Sequence, residues 1–364
     1  MTARVSISAM VGAMSCVGVD LALACGVARA EPPAPPAPAP AAVHDRAPAI
    51  AAPVALVLPD GKDGIGFDDL GYSPELRRVL VPAGGTGKLD LIDPQTRAVE
   101  SIGGFSGGVR FSGGHGAGTT SVDGGAGLLF ATDRGRAEIA VVDPKARKIT
   151  NRAKLRGGPD YVRWVGPRNE VWVTEPSRKQ IEYFALDHGA LVVRGAIDVP
   201  GGPESLVVDA ARGRAYTHTW DDTTVVIDLA QHRERARWKN GCKGSRGIAL
   251  DDKRALLLVG CDEGKATALD VAHDGRLVGS AATGKGVDVI AYNPRLGHLY
   301  VPGGDSATLT IVGVGAGARL EPLGSVAAAE DAHCVATDDA GHAYVCAPKQ
   351  GALLIVTDPF PPSR

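Results

Sequence analysis

Six polar side chains occupy one repeating position in this chain of 364 residues. Asp68, Asp160, Glu204, Arg246, Asp288 and His333 each stand two residues before an apolar residue that opens a β-forming run, and Gly118 holds the same place before Thr120. Four carboxylates, one guanidinium and one imidazole sum to about −3 with histidine neutral. Gathered at one end of a closed fold, they would concentrate cations, and their oxygens suit a hard divalent ion or a cationic or polyhydroxylated molecule. The plainer reading is that strand ends must be solvated where they leave a core, with Arg246 neutralising a neighbour.

His115, His218 and His333 also fall near strand ends. Imidazole is both a transition-metal ligand and a general acid or base near neutrality, so these three with the carboxylates would make a metal or proton-transfer site. A turn or surface histidine accounts for each one separately. The adjacent pairs Asp68-Asp69 and Asp221-Asp222 are weak catalytic pairs, because neighbours on a strand point to opposite faces. Gly84-Gly85-Thr86-Gly87-Lys88 lacks the glycine spacing and the helix of a phosphate loop, and no Gly-x-Ser-x-Gly elbow is present. Gly113-Gly114-His115-Gly116 reads as a flexible loop in the longest inter-unit interval, a place for a lid or for a solvated connection.

The elements that would position these residues come from a repeat. Leu70, Thr120, Val162, Leu206, Ile248, Ile290 and Val335 recur at intervals of 42 to 50 residues, the size of a four-stranded propeller blade. Each is followed by a turn rich in Gly, Pro, Asp or Asn and then by a short β-forming run, such as Val79-Leu80-Val81, Val171-Trp172-Val173, Leu299-Tyr300-Val301 or Ala343-Tyr344-Val345. A third run ends in aspartate, as in Leu91-Ile92-Asp93, Val141-Val142-Asp143, Val226-Ile227-Asp228 and Ala268-Leu269-Asp270. No stretch of helical period is long enough to serve as a parallel crossover. The 48 glycines and 5% aromatic content fit a turn-rich all-β protein.

The last unit supplies three strands, near 334–337, 343–347 and 352–357. An apolar run, Val54-Ala55-Leu56-Val57-Leu58, precedes the first unit without a blade of its own. It is expected to complete the seventh blade and close the ring, which removes an exposed edge. The fold class is therefore all-β, a seven-bladed β-propeller over 54–358, with a short C-terminal tail at 359–364. In that fold Cys334 and Cys346 flank one hairpin turn and Cys242 and Cys261 bracket another, so two disulfides are expected, each closing a short loop. Thiolate chemistry is the lesser reading, since Cys-x-x-Cys is absent.

The units resemble a WD40-like propeller repeat, that of the YncE-like or YVTN family. The resemblance rests on Val171-Trp172-Val173-Thr174-Glu175, the Gly-Gly-Pro starts at Gly157 and Gly201, and the hydrophobic-Asp endings. It implies a periplasmic or surface binding scaffold and carries no activity with it. Thr217-His218-Thr219 and Val259-Gly260-Cys261 depart from the pattern.

Residues 1–30 hold Arg4, an apolar stretch and Ala28-Arg29-Ala30, the small-x-small spacing of a secretory signal peptide, and 31–53 is an Ala/Pro-rich spacer. The mature protein is thus expected to be periplasmic or secreted, with no transmembrane span; lipid attachment at Cys25 is the alternative. A net charge of −2 and a pI near 6.5 do not favour nucleic acid. These features favour an exported binding scaffold for a protein or small-molecule partner, with no cofactor required. The alternative is a metal-dependent, lactonase-like hydrolase in which Asp68, Asp160, Glu204 and Asp288 hold a divalent cation and His333 moves a proton.

Overall fold

The structure, a computed structural model, describes residues 48–363; the expected leader and most of the spacer lie outside them. Seven four-stranded antiparallel sheets, built from 71–103, 122–154, 162–198, 207–238, 245–282, 291–327 and 335–357, form the blades of a β-propeller. Within each blade the strands follow chain order outward from the channel. Only the seventh breaks that order: Val54–Val57 pairs antiparallel with Ala352–Thr357, placing Val54 opposite Ile355 and closing the ring.

The aspartates that end the third strands close the outer hairpins. Asp93 Oδ1 accepts the backbone N–H groups of Gln95 and Thr96 at 2.8 and 3.0 Å. Asp143 and Asp228 hold the equivalent amides of Lys145 and Ala146, and of Ala230 and Gln231. Such Asx turns satisfy donors that the hairpin leaves free. The repeated hydrophobic-Asp signal is therefore structural.

Middle strands are buried on both faces: Leu256–Cys261 and His298–Gly303 have no exposed residue. Outer strands alternate, as in Arg233–Trp238, because one face packs on the next blade and the other meets solvent. Both expected cysteine pairs, Cys242 with Cys261 and Cys334 with Cys346, are joined as disulfides. Packing continues past both ends of 54–358. Ile50 and Phe360 pack into the cluster shared by blades six and seven, and Ser363 donates its N–H to the Leu296 carbonyl at 2.7 Å. Among the described residues no helix is long and apolar enough to cross a membrane.

Candidate ligand site at the channel mouth

The inner strand of each blade starts at the same mouth of the channel, and the backbone fixes the residue just before it. Asp160 donates its N–H to the Thr174 carbonyl and Glu204 its N–H to the His218 carbonyl, each at 2.9 Å, tying the position to the end of the second strand of its own blade. The side chains then project into a cavity of about 660 Å³. All six polar residues of the repeating position line it, together with His115. Gly118 contributes no side chain there for a steric reason: a Cβ would lie 1.8 Å from the Gly84 carbonyl oxygen, and its φ is +75°.

Asp68, Asp160 and Glu204 are buried, with exposures of 2%, 9% and 6%. Their charges are answered by guanidiniums. Arg134 Nη2 donates to Asp68 Oδ2 at 2.9 Å and to Asp160 Oδ1, while its Nε and Nη1 donate to the Pro159 and His115 carbonyls at 2.9 and 3.1 Å. Arg246 Nη1 donates to Glu204 Oε1 at 3.2 Å, and its Cζ lies 4.0 Å from the centre of the Trp220 ring. Among the described residues, the four carboxylates proposed as hard-metal ligands do not gather as one set of ligand atoms within 4.8 Å. Asp68, Asp160 and Glu204 face arginine instead.

Burial raises the carboxyl pKa values despite these partners. Asp68 is pushed up to about 7, first by desolvation and then by Asp288 and Asp69, with Arg134 opposing. Desolvation and the Asp68 charge raise Asp160 to about 8, and desolvation with Asp160 and Asp288 raises Glu204 to about 9. Near neutrality the mouth therefore holds protonated carboxyls, which donate as well as accept hydrogen bonds. Burial works against the charged form of His333, but the Asp331 side chain and the Asp288 charge outweigh it and set its pKa at about 9. Its geometry agrees, since Nδ1 lies 2.6 Å from the Asp331 carbonyl and Nε2 3.1 Å from that of Phe67, two groups that only accept. Burial moves His115 the other way, toward the neutral imidazole.

His218 does not join the site. It is fully buried within blade four, its Nδ1 3.0 Å from Thr224 Oγ1, and burial depresses its pKa to about 3. Asp69 points away from Asp68, toward the opposite mouth, where Arg163 grips it through both Nη atoms at 2.5 and 3.0 Å. Asp221 accepts from Thr219 Oγ1 at 2.6 Å and Asp222 from the Asn240 and Gly241 amides, so that pair shapes turns. The Gly113–Gly116 loop carries His115 into the cavity wall.

Arg134, Tyr161, Trp220, Asp262 and Asp331 also line the cavity and were not singled out in the sequence. A signal for three of them existed. The residue 16 positions after each of Gly118, Asp160, Glu204 and Arg246 is Arg134, Pro176, Trp220 or Asp262, and all four face the mouth from the end of a second strand. Tyr161 and Asp331 have no such regularity.

No family model matches the chain, and no curated protein matches it in sequence. Solved structures do match in shape. A chain of Kuenenia stuttgartiensis hydrazine synthase aligns with a TM-score of 0.66 at 11% identity, covering 83% of this chain and 97% of that one. A chain of a mitotic checkpoint complex gives 0.69 at 14%, covering 85% and 95%, and the β-propeller domain of Myceliophteria thermophila Cps50 (Swd1) gives 0.67 at 11%, covering 83% and 99%. At these identities the likeness is one of fold alone.

Proposed function

We propose that this protein is an exported binding scaffold of the YncE-like repeat kind that captures a small cationic or polyhydroxylated molecule at the mouth of its propeller. One observation carries the reading: side chains from all seven blades converge on a single cavity of about 660 Å³, within the size range of small-molecule sites. Six carboxyl groups line it with two guanidiniums and two imidazoles, a dense set of hydrogen-bond donors and acceptors suited to hydroxyl and ammonium groups. Trp220, 55% exposed at the rim, offers an apolar face for the carbon skeleton of such a ligand. Two disulfides support an oxidising compartment, in keeping with the leader-like sequence.

A hydrolase that seats a hard cation on Asp68, Asp160, Glu204 and Asp288 is a poorer fit, because a cation would have to displace Arg134 and Arg246 from three of the four. The binding reading is tested by tryptophan fluorescence of the protein in chelator, titrated with putrescine, spermidine, choline, monosaccharides and polyols. Saturable change with at least one class, lost in Trp220→Phe and weakened in Glu204→Gln, is the expected result. No saturable response from any of them would refute it.

A further inference from the structure

One wall of the mouth holds unsatisfied ligand chemistry. His115, Asp288 and His333 come from three blades, and each offers a ligand atom within 4.8 Å of the other two. Asp288 stands outside the pairing of the rest of the site, while His115 Nε2 lies 3.9 Å from Asp68 Oδ2 and His333 Nδ1 3.5 Å from Asp331 Oδ1. Arg134 and Arg246 are committed to Asp68, Asp160 and Glu204, and no ion pair takes up Asp288 among the described residues. His115 Nδ1 is shut off from solvent without any hydrogen-bond partner, an expensive state for a ring nitrogen.

We propose that His115, Asp288 and His333 form a three-ligand site for a borderline first-row divalent ion of the zinc or cobalt type, with its open positions facing the cavity. Two imidazoles and one carboxylate favour such ions over calcium or magnesium, which take all-oxygen sets. Three protein ligands leave room for water or a ligand atom as the fourth. The supports are in place. Arg134 Nη1 holds the His115 carbonyl at 3.1 Å and so fixes the glycine-rich loop that carries the ring. His333 Nδ1 faces the Asp331 carbonyl at 2.6 Å, the second-nitrogen contact that orients metal-bound histidines. His333 Nε2 is then the ligand atom. On binding it gives its proton to solvent and exchanges its 3.1 Å contact with the Phe67 carbonyl for the ion.

The site rests on the mouth being the functional surface and adds the identity of one occupant. The paired Glu204 and Arg246 with Trp220 line the same cavity and would face the organic part of a ligand that also reaches the ion.

The test uses the oxidised full chain stripped by chelator, titrated with Zn²⁺ by calorimetry and with Co²⁺ by visible absorption. One equivalent of Zn²⁺ binding is expected, with Co²⁺ ligand-field bands and no competition from Ca²⁺. Asp288→Asn and His115→Asn should each weaken Zn²⁺ by at least the ~10–100-fold typical of losing an outer-shell partner, and their melting temperatures in chelator confirm that both fold. The exposed His188 and His273, each beside an aspartate, are the obvious adventitious sites; a His188→Asn, His273→Asn variant should bind Zn²⁺ as the parent does. Absence of stoichiometric binding, or binding lost in that surface variant and untouched by Asp288→Asn, overturns the proposal. Because the fluorescence titrations are done in chelator, a ligand response there with no Zn²⁺ binding removes the metal site and leaves the binding cavity standing.

Discussion

Replacing Arg134 with methionine keeps most of the side-chain volume and removes the one charge that two buried carboxyls share. Arg134 is 17% exposed, Asp68 3% and Asp160 12% as side chains, so solvent screens little of the interaction. Taking one partner from a buried ion pair costs about 3–5 kcal/mol, and the hydrogen bonds to the Pro159 and His115 carbonyls add about 1 kcal/mol each. The loss depends on pH in a defined sense. Asp68 at about 7 and Asp160 at about 8 both lie above the ordinary 3.8, chiefly through burial. The folded protein therefore holds protons that the unfolded chain has released, and stability falls as pH rises from about 4 to about 8. Without Arg134 both pKa values climb further, so the fall extends to higher pH. At pH 5 the carboxyls are neutral in both proteins and the variant should lose only about 1–2 kcal/mol, from its carbonyl contacts. At pH 8 the ion-pair and carbonyl contributions together should reach about 5–7 kcal/mol, a drop of roughly 10–14 °C at about 2 °C per kcal/mol for a domain of this size. Calorimetric melts at the two pH values, with Arg134→Lys as the charge-preserving control, measure it. Equal losses at pH 5 and pH 8, or a lysine variant no better than methionine, would refute the assignment of Arg134 as the charge partner of both carboxyls.

Two further expectations concern the ring. Opening either disulfide as a double serine variant should cost about 3 kcal/mol by loop-closure entropy, since the bonds span sequence separations of 19 and 12 residues; equilibrium unfolding of each variant, with and without reductant, checks this, and a variant as stable as the oxidised parent contradicts it. Deleting residues 1–57 removes the closing strand, whose Val54 and Val57 are 47% and 65% exposed and add little burial. The main effect should be an uncovered edge along Ala352–Thr357, an apolar run with strong β preference, and hence self-association seen by light scattering. A monodisperse monomer with an unchanged melting temperature would count against closure by that strand.

The ring was legible because it is periodic. Seven units each repeat an apolar marker, a turn and a second run, and most third runs end in aspartate, so errors in any one of them are outvoted by the rest. Even the closing strand could be read, since the last unit lacked a fourth strand and Val54–Val57 lacked a blade. The disulfides followed from that frame, because pairing of strands within a blade decides which cysteines face each other. His218 shows the limit. Its place near the end of a second strand resembled that of a mouth residue, yet the side chain turns into blade four and bonds Thr224, and strand period alone does not say which face of an irregular strand end is the buried one.

The mouth was half legible for a related reason. Radial equivalence identifies which positions meet around a channel, but the chemistry of the site depends on which of them pair, and pairing joins blades of unrelated sequence separation. Blade two makes the point. The close approach of Gly84 forbids a side chain at Gly118, so this blade cannot contribute to the ring of polar residues at the expected position. It reaches the mouth one strand later through Arg134, which then binds Asp68 of the first blade and Asp160 of the third. Arg134 thereby stands between these two carboxyls and takes them out of the set available to a hard metal. Asp288, which no ion pair takes up among the described residues, lies beside two imidazoles. The mouth thus holds two kinds of carboxyl, those that Arg134 and Arg246 pair and Asp288 beside two imidazoles, and only the paired positions around the ring tell them apart.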